Sequence, residues 1–146
     1  MKVSIVVTTY NWESALKSAL LSIAQQTVLP YEVIVADDGS KESMRDMIME
    51  MAKTFPAILK HSWQEDDGYR VARSRNLGIA AATGDYVIIM DGDMVLNKHF
   101  IEDHVSAAKA GFCVQGSRVL AQADFDNQKL MEQQKDPHFF SRGIGR

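Results

Sequence analysis

Residues 86–90, Tyr-Val-Ile-Ile-Met, form the most apolar run in the chain, and the run stops abruptly at Asp91-Gly92-Asp93. A strand that is apolar at consecutive positions has no polar face to give to water. It therefore belongs in the middle of a parallel sheet covered on both sides, and the polar residues at its carboxyl end open into the crevice where α/β folds bind ligands. Two carboxylates one residue apart suit a hard divalent cation such as Mg²⁺ or Mn²⁺, which keeps several waters and bridges one or two protein carboxylates to substrate phosphates. The plainer reading of the same residues is a turn, since Asp-Gly is a strong turn dipeptide.

Two further apolar runs end in the same way. Residues 3–7 lead into Thr8-Thr9-Tyr10-Asn11, and residues 32–36 lead into Asp37-Asp38-Gly39-Ser40. Between the runs the spacing changes to that of helices. Asn11 is placed to cap one that buries Trp12, Leu16, Ala19, Leu20 and Ile23, and Ser40 to cap one that buries Met44, Met47, Ile48, Met51 and Phe55. A weaker strand covers 58–62, and a helix over 72–83 is stopped by Gly84. Asn97 is placed to cap a helix burying Phe100, Ile101 and Val105, and Gly111 ends it before an expected strand over 112–120. A further helix is expected over 128–135. Strands alternating with helices predict a mainly parallel sheet with right-handed crossovers.

With 46% apolar and 24% charged residues the composition is that of a folded domain, which excludes a disordered chain. The net charge of −3 offers no general attraction to nucleic acid or anionic lipid. No apolar stretch has the length of a membrane span and no leader pattern opens the chain, so the expected location is the cytoplasm. The one cysteine, Cys113, lies in an apolar segment and is expected to pack in the core. Trp12 and Trp63 are likewise expected to be packing residues, and His61, His99 and His104 structural or surface ones.

If the first strand is central, flanked by the second and by the strand from Tyr86, all three polar clusters share one sheet edge. The crevice between the first and fourth strands is then the topological switch point, a nucleotide-binding place. Tyr10 offers an aromatic face for a base, Asp38 an acceptor for a base N–H, Arg73 and Arg75 phosphate donors, and Asp93 a metal ligand. There is no Walker A run and no GxGxxG after the first strand, which disfavours a P-loop or dinucleotide site. Asp37-Asp38 could instead merely cap the following helix.

These segments, together with Arg75-Asn76-Leu77-Gly78 and Gly84-Asp85-Tyr86, resemble the family 2 glycosyltransferases of GT-A fold. The segment Asp66-Asp67-Gly68-Tyr69 is similar to a subgroup that includes chondroitin-polymerase-type and galactosyltransferase-like domains. The resemblance covers roughly residues 3–120. It implies an α/β, Rossmann-like GT-A sandwich with a mainly parallel central sheet, truncated after its nucleotide-binding half. Residues 1–120 would be the nucleotide-sugar-binding core and 121–146 the start of an incomplete acceptor-side region or tail.

The resemblance further implies a nucleotide-sugar donor, most often a UDP-sugar, and transfer with inversion to a glycan or glycolipid acceptor in bacterial surface polysaccharide or lipopolysaccharide synthesis. Thr8 and Tyr10 would border the uracil, Asp38 would bind its N3–H with Asp37 beside it, and Arg73 or Arg75 rather than Arg70 would meet the diphosphate. Asp91 would contact ribose or metal-bound water, and Asp93 would hold Mn²⁺ or Mg²⁺. The carboxylate that deprotonates the acceptor is expected outside this chain, because Asp124, Asp126, Glu132 and Asp136 match no base motif. Peripheral association with the inner face of the membrane is expected only through such further regions. A non-catalytic nucleotide-sugar-binding module is the alternative. A phosphoacceptor receiver domain ranks lower, since Thr8-Thr9-Tyr10 stands where its acidic pair would be.

Overall fold

The computed structural model describes residues 1–120. Strands β1 (Val3–Thr9), β2 (Glu32–Asp37), β3 (Ile58–Trp63) and β4 (Tyr86–Asp91) alternate with helices α1 (Glu13–Ala24), α2 (Glu42–Ala52), α3 (Val71–Ala80) and α4 (Phe100–Ala107). The four strands form one all-parallel sheet in the order β3-β2-β1-β4. β1 is therefore central, with Thr8 opposite both Ala36 and Asp91, as the sequence led us to expect.

Consecutive strand residues face opposite sides, so the apolar runs feed two cores. Ile5, Val7, Val33, Val35, Ile88 and Met90 pack with Leu16, Leu20 and Ile23 of α1, Met44 and Ile48 of α2, and Ile101 of α4. On the other face Val6, Ile34 and Ala36 form a smaller core, where α3 lies against β1 and β2. Met47, Met51 and Phe55 join the first core from its margin.

A buried charge ties the amino-terminal edge of the sheet together. The Glu32 side chain, fully buried, accepts from the Ser4 hydroxyl at 2.7 Å and from the Thr83 backbone N–H at 2.6 Å, and pairs with Lys60 at 2.5 Å. Burial pushes its carboxyl up, but these donors, led by Lys60, outweigh it and hold the pKa down to about 2. One carboxylate thus fastens β1, β2, β3 and the turn before β4.

Several expectations need correction. The β4 run is not covered on both faces among the described residues: Val87 and Ile89 are exposed, and α3 packs chiefly over β1 and β2. Residues 112–120 are exposed and form no strand, having no ladder partner among the described residues, and Cys113 is exposed with them. The helix over 72–83 ends at Ala80, because Thr83 turns its N–H to Glu32. The N-cap positions are Trp12, Lys41 and His99; Asn11 and Ser40 cap neither α1 nor α2 and bond between the loops instead, whereas the Asn97 side-chain oxygen accepts the His99 N–H at 2.9 Å just ahead of α4. Trp12 and Trp63 are both more than half exposed. The helix expected over 128–135 lies outside the described residues.

Candidate functional site

The carboxyl ends of β1, β2 and β4 come together, and the backbone continues their ladders into the loops. Asp38 N–H donates to the Thr9 carbonyl at 3.0 Å, and Gly92 N–H to the Thr8 carbonyl at 2.7 Å. A β-carbon on Gly92 would lie 2.6 Å from that same Thr8 oxygen, so only glycine lets Asp91 and Asp93 leave the sheet on this path.

The loops after β1 and β2 are bound to each other. Asn11 takes the left-handed conformation, φ 47°; its N–H donates to the Ser40 hydroxyl at 2.8 Å, and its side-chain oxygen accepts from Lys41 N–H at 3.0 Å. This exchange occupies the two residues that local sequence marks as helix caps. It also fixes Tyr10 beside Asp38-Gly39. The acidic segment after β3 closes from above, with Asp66 packed directly on Gly39 and accepting the Tyr10 hydroxyl at 3.0 Å. That bond to a carboxylate raises the Tyr10 pKa and keeps the phenol a donor.

A cavity of about 210 Å³ opens here, lined by Thr8, Thr9, Tyr10, Trp12, Asp38, Tyr69, Asp91, Gly92 and Asp93 among others. Five of the expected site residues, Thr8, Tyr10, Asp38, Asp91 and Asp93, thus share one space. Asp38 is almost fully buried; it accepts from Arg70 N–H at 2.9 Å and from the Gln64 amide. The Thr8 hydroxyl donates to Asp91 at 3.1 Å, and Arg75 donates to the same oxygen at 3.3 Å.

The other expected residues lie differently. Asp37 does not line the cavity: its carboxylate accepts from Ser40 N–H at 2.8 Å and meets His61 at 2.9 Å. Burial opposes its ionisation, yet the bonds from His61 and Ser40 hold its pKa below the usual value. Arg73 points to the Gln64 side-chain oxygen at 2.7 Å, and Arg70 pairs with Asp67 at 3.1 Å. Gln64, Asp66 and the cavity-facing side of Trp12 were not foreseen as site features; only the acidic segment's likeness to one subgroup pointed towards this loop.

Asp91 and Asp93 are the carboxylates available to a cation beside Thr8. Among the described residues no group of three or more His, Cys, Asp or Glu side chains is arranged to enclose one. A pair of carboxylates on an open cavity fits an ion that completes its shell with water and phosphate oxygens, as Mg²⁺ and Mn²⁺ do, and does not fit a closed tetrahedral site.

Residues 4–145 match the model of the family described as Glycosyl transferase family 2. The chain belongs to this family. Over 105 residues the chain is 41% identical to the chondroitin synthase of Escherichia coli, covering 70% of this chain and 15% of that one. Among solved structures it resembles S. aureus TarS 1-349 in complex with UDP-GlcNAc, with TM-score 0.60, 28% identity, and 73% and 30% of the two chains covered. It also resembles the mannosyltransferase PcManGT of Pyrobaculum calidifontis in complex with GDP-Man and Mn²⁺, with TM-score 0.62, 27% identity, and 71% and 31% covered. The chain therefore spans less than a third of each of these relatives, and its parallel sheet is the amino-terminal part of the GT-A fold.

Proposed function

We propose that this chain carries the donor site of an inverting, metal-assisted glycosyltransferase that passes a sugar from a UDP-sugar to a glycan acceptor in bacterial surface polysaccharide synthesis. The observation that carries the reading is the convergence of Thr8, Tyr10, Asp38, Asp91 and Asp93 on one cavity at the carboxyl edge of a parallel sheet. The UDP-GlcNAc in the TarS complex and the chondroitin synthase relative support a uridine donor and a glycan product.

In this reading Tyr10 and Thr8 border the uracil and Asp38 accepts its N3–H. Asp91 faces the ribose, with Arg75 beside it at the diphosphate end. Asp93, with Asp91, holds the cation. When bound, Mn²⁺ or Mg²⁺ supplies positive charge to the departing diphosphate. In this reading the three carboxylates lining the cavity, Asp38, Asp91 and Asp93, are all engaged by donor and cation, and the base that deprotonates the acceptor is proposed to lie outside the described residues. No helix among the described residues is long and apolar enough to cross a membrane; in this reading association with the inner face of the membrane would be made through regions outside them.

Titration calorimetry with UDP, with Mn²⁺ present and then chelated, tests the donor site. The expected result is binding that weakens at least about tenfold on chelation. Undiminished affinity in chelator removes the metal from the site. Absence of uridine nucleotide binding under both conditions removes the donor reading.

A further inference from the structure

Gln64 follows β3 directly, is 5% exposed, and is anchored through its N–H to the Asp37 carbonyl at 3.2 Å. Its side chain lies between two charged groups. The amide nitrogen donates to one oxygen of Asp38 and lies 3.4 Å from the Arg70 carbonyl, while the amide oxygen accepts from Arg73 at 2.7 Å. An ionised Asp38 can only accept and an arginine can only donate, so the orientation of the amide is dictated by its partners. The second Asp38 oxygen takes Arg70 N–H at 2.9 Å. Both oxygens are thereby held, and the carboxylate cannot turn away from the cavity.

A neutral amide in this position also keeps Arg73 off Asp38. The exposed Arg73 would otherwise be free to reach the buried Asp38 and pair with it directly, and a paired Asp38 would be a poorer acceptor for a base N–H.

We infer that Gln64 is a positioning residue that couples recognition of the nucleobase at Asp38 to the charge of Arg73, and so sets the preference for uridine over cytidine nucleotides; the inference rests on the donor-site reading. Uracil presents N3–H, a donor, where cytosine presents N3, an acceptor. A fixed, unpaired carboxylate favours the first and repels the second. The ratio of UDP to CDP affinity therefore reports how Asp38 is presented, independently of how well the diphosphate is held.

The test measures that ratio in the whole chain by calorimetry with UDP and CDP for wild type, Gln64→Leu and Gln64→Glu. Gln64→Leu keeps approximate size, removes both side-chain bonds and frees Arg73, and should lower the UDP/CDP ratio about tenfold, the scale of a hydrogen bond to a charged group. Gln64→Glu sets a carboxylate against Asp38 when ionised, but its protonated form donates and accepts as glutamine does. Its UDP affinity relative to wild type at the same pH should therefore rise as the pH falls from about 8 to about 5, with no such rise in Gln64→Leu. A purely structural Gln64 would weaken UDP and CDP together. An unchanged ratio in folded Gln64→Leu, or a pH-independent Gln64→Glu, overturns the coupling while the donor site stands. A wild-type chain that binds no UDP overturns the donor site itself, and this inference with it.

Discussion

Asp91 and Asp93 lie two residues apart yet meet different surroundings. Asp91 is drawn to Thr8 and Arg75, whereas Asp93 has no ion pair among the described residues. If Asp93 serves the cation, Asp93→Asn should bring UDP affinity in Mn²⁺ down to that of chelated wild type while the circular dichroism spectrum stays unchanged; full affinity in the variant would clear Asp93 of the role. Glu32 carries the opposite burden, one of stability. Its folded pKa of about 2 lies below the ordinary 4.5, so its contribution is fully present above pH 4.5 and is lost as the pH falls through the folded value. His104, whose pKa burial lowers from 6.5, removes stability earlier in the same direction, because the unfolded chain takes up the proton first. Thermal melts should show falling stability below about pH 6.5. Glu32→Gln should be destabilised by ~3 kcal/mol at neutral pH and lose the part of the slope between pH 4.5 and 2. An unaltered acid limb in the variant would assign that slope to other carboxylates.

At the level of elements, the sequence announces β1, β2 and β4 clearly because each is a short apolar run that ends in polar residues, and the order around β1 follows from those ends, while β3, half polar, is the weaker signal. The loops were less legible. Asn11 and Ser40 look like caps locally, but their partners lie about 30 residues away, so nothing nearby reveals that they tie two loops together. Trp12 and Trp63 read as core by residue type and prove exposed, since burial depends on what a neighbouring element covers. Gln64 carries no motif of its own and becomes visible only when Asp38 and Arg73 are seen on either side of it. The closing of the acidic segment on the β2 loop depends on Gly39, with φ +101° and the Asp66 backbone 2.5 Å from where a β-carbon would stand. Gly39→Ala should therefore destabilise the chain by ~2 kcal/mol or more and weaken UDP binding by displacing Asp66 from Tyr10. A melt and a calorimetric titration of the variant check both effects; wild-type behaviour in each would mean that the segment closes without this contact.

Across the described residues, the candidate site draws on more than two thirds of the length, since Thr8 meets Asp91 across 83 positions. Contacts of such separation form late, after the entropy of closing the chain has been met. The segment leading to Asp91 and Asp93 is the last of the described strands to be made, and it docks against the first. A nascent polypeptide that has emerged only as far as Asp85 already holds Tyr10 and Asp38 but has no β4, no Asp91 and no Asp93. Uridine nucleotide should thus protect the chain from proteolysis only once β4 has docked, which makes the ligand a clock for the joining of β4 to β1.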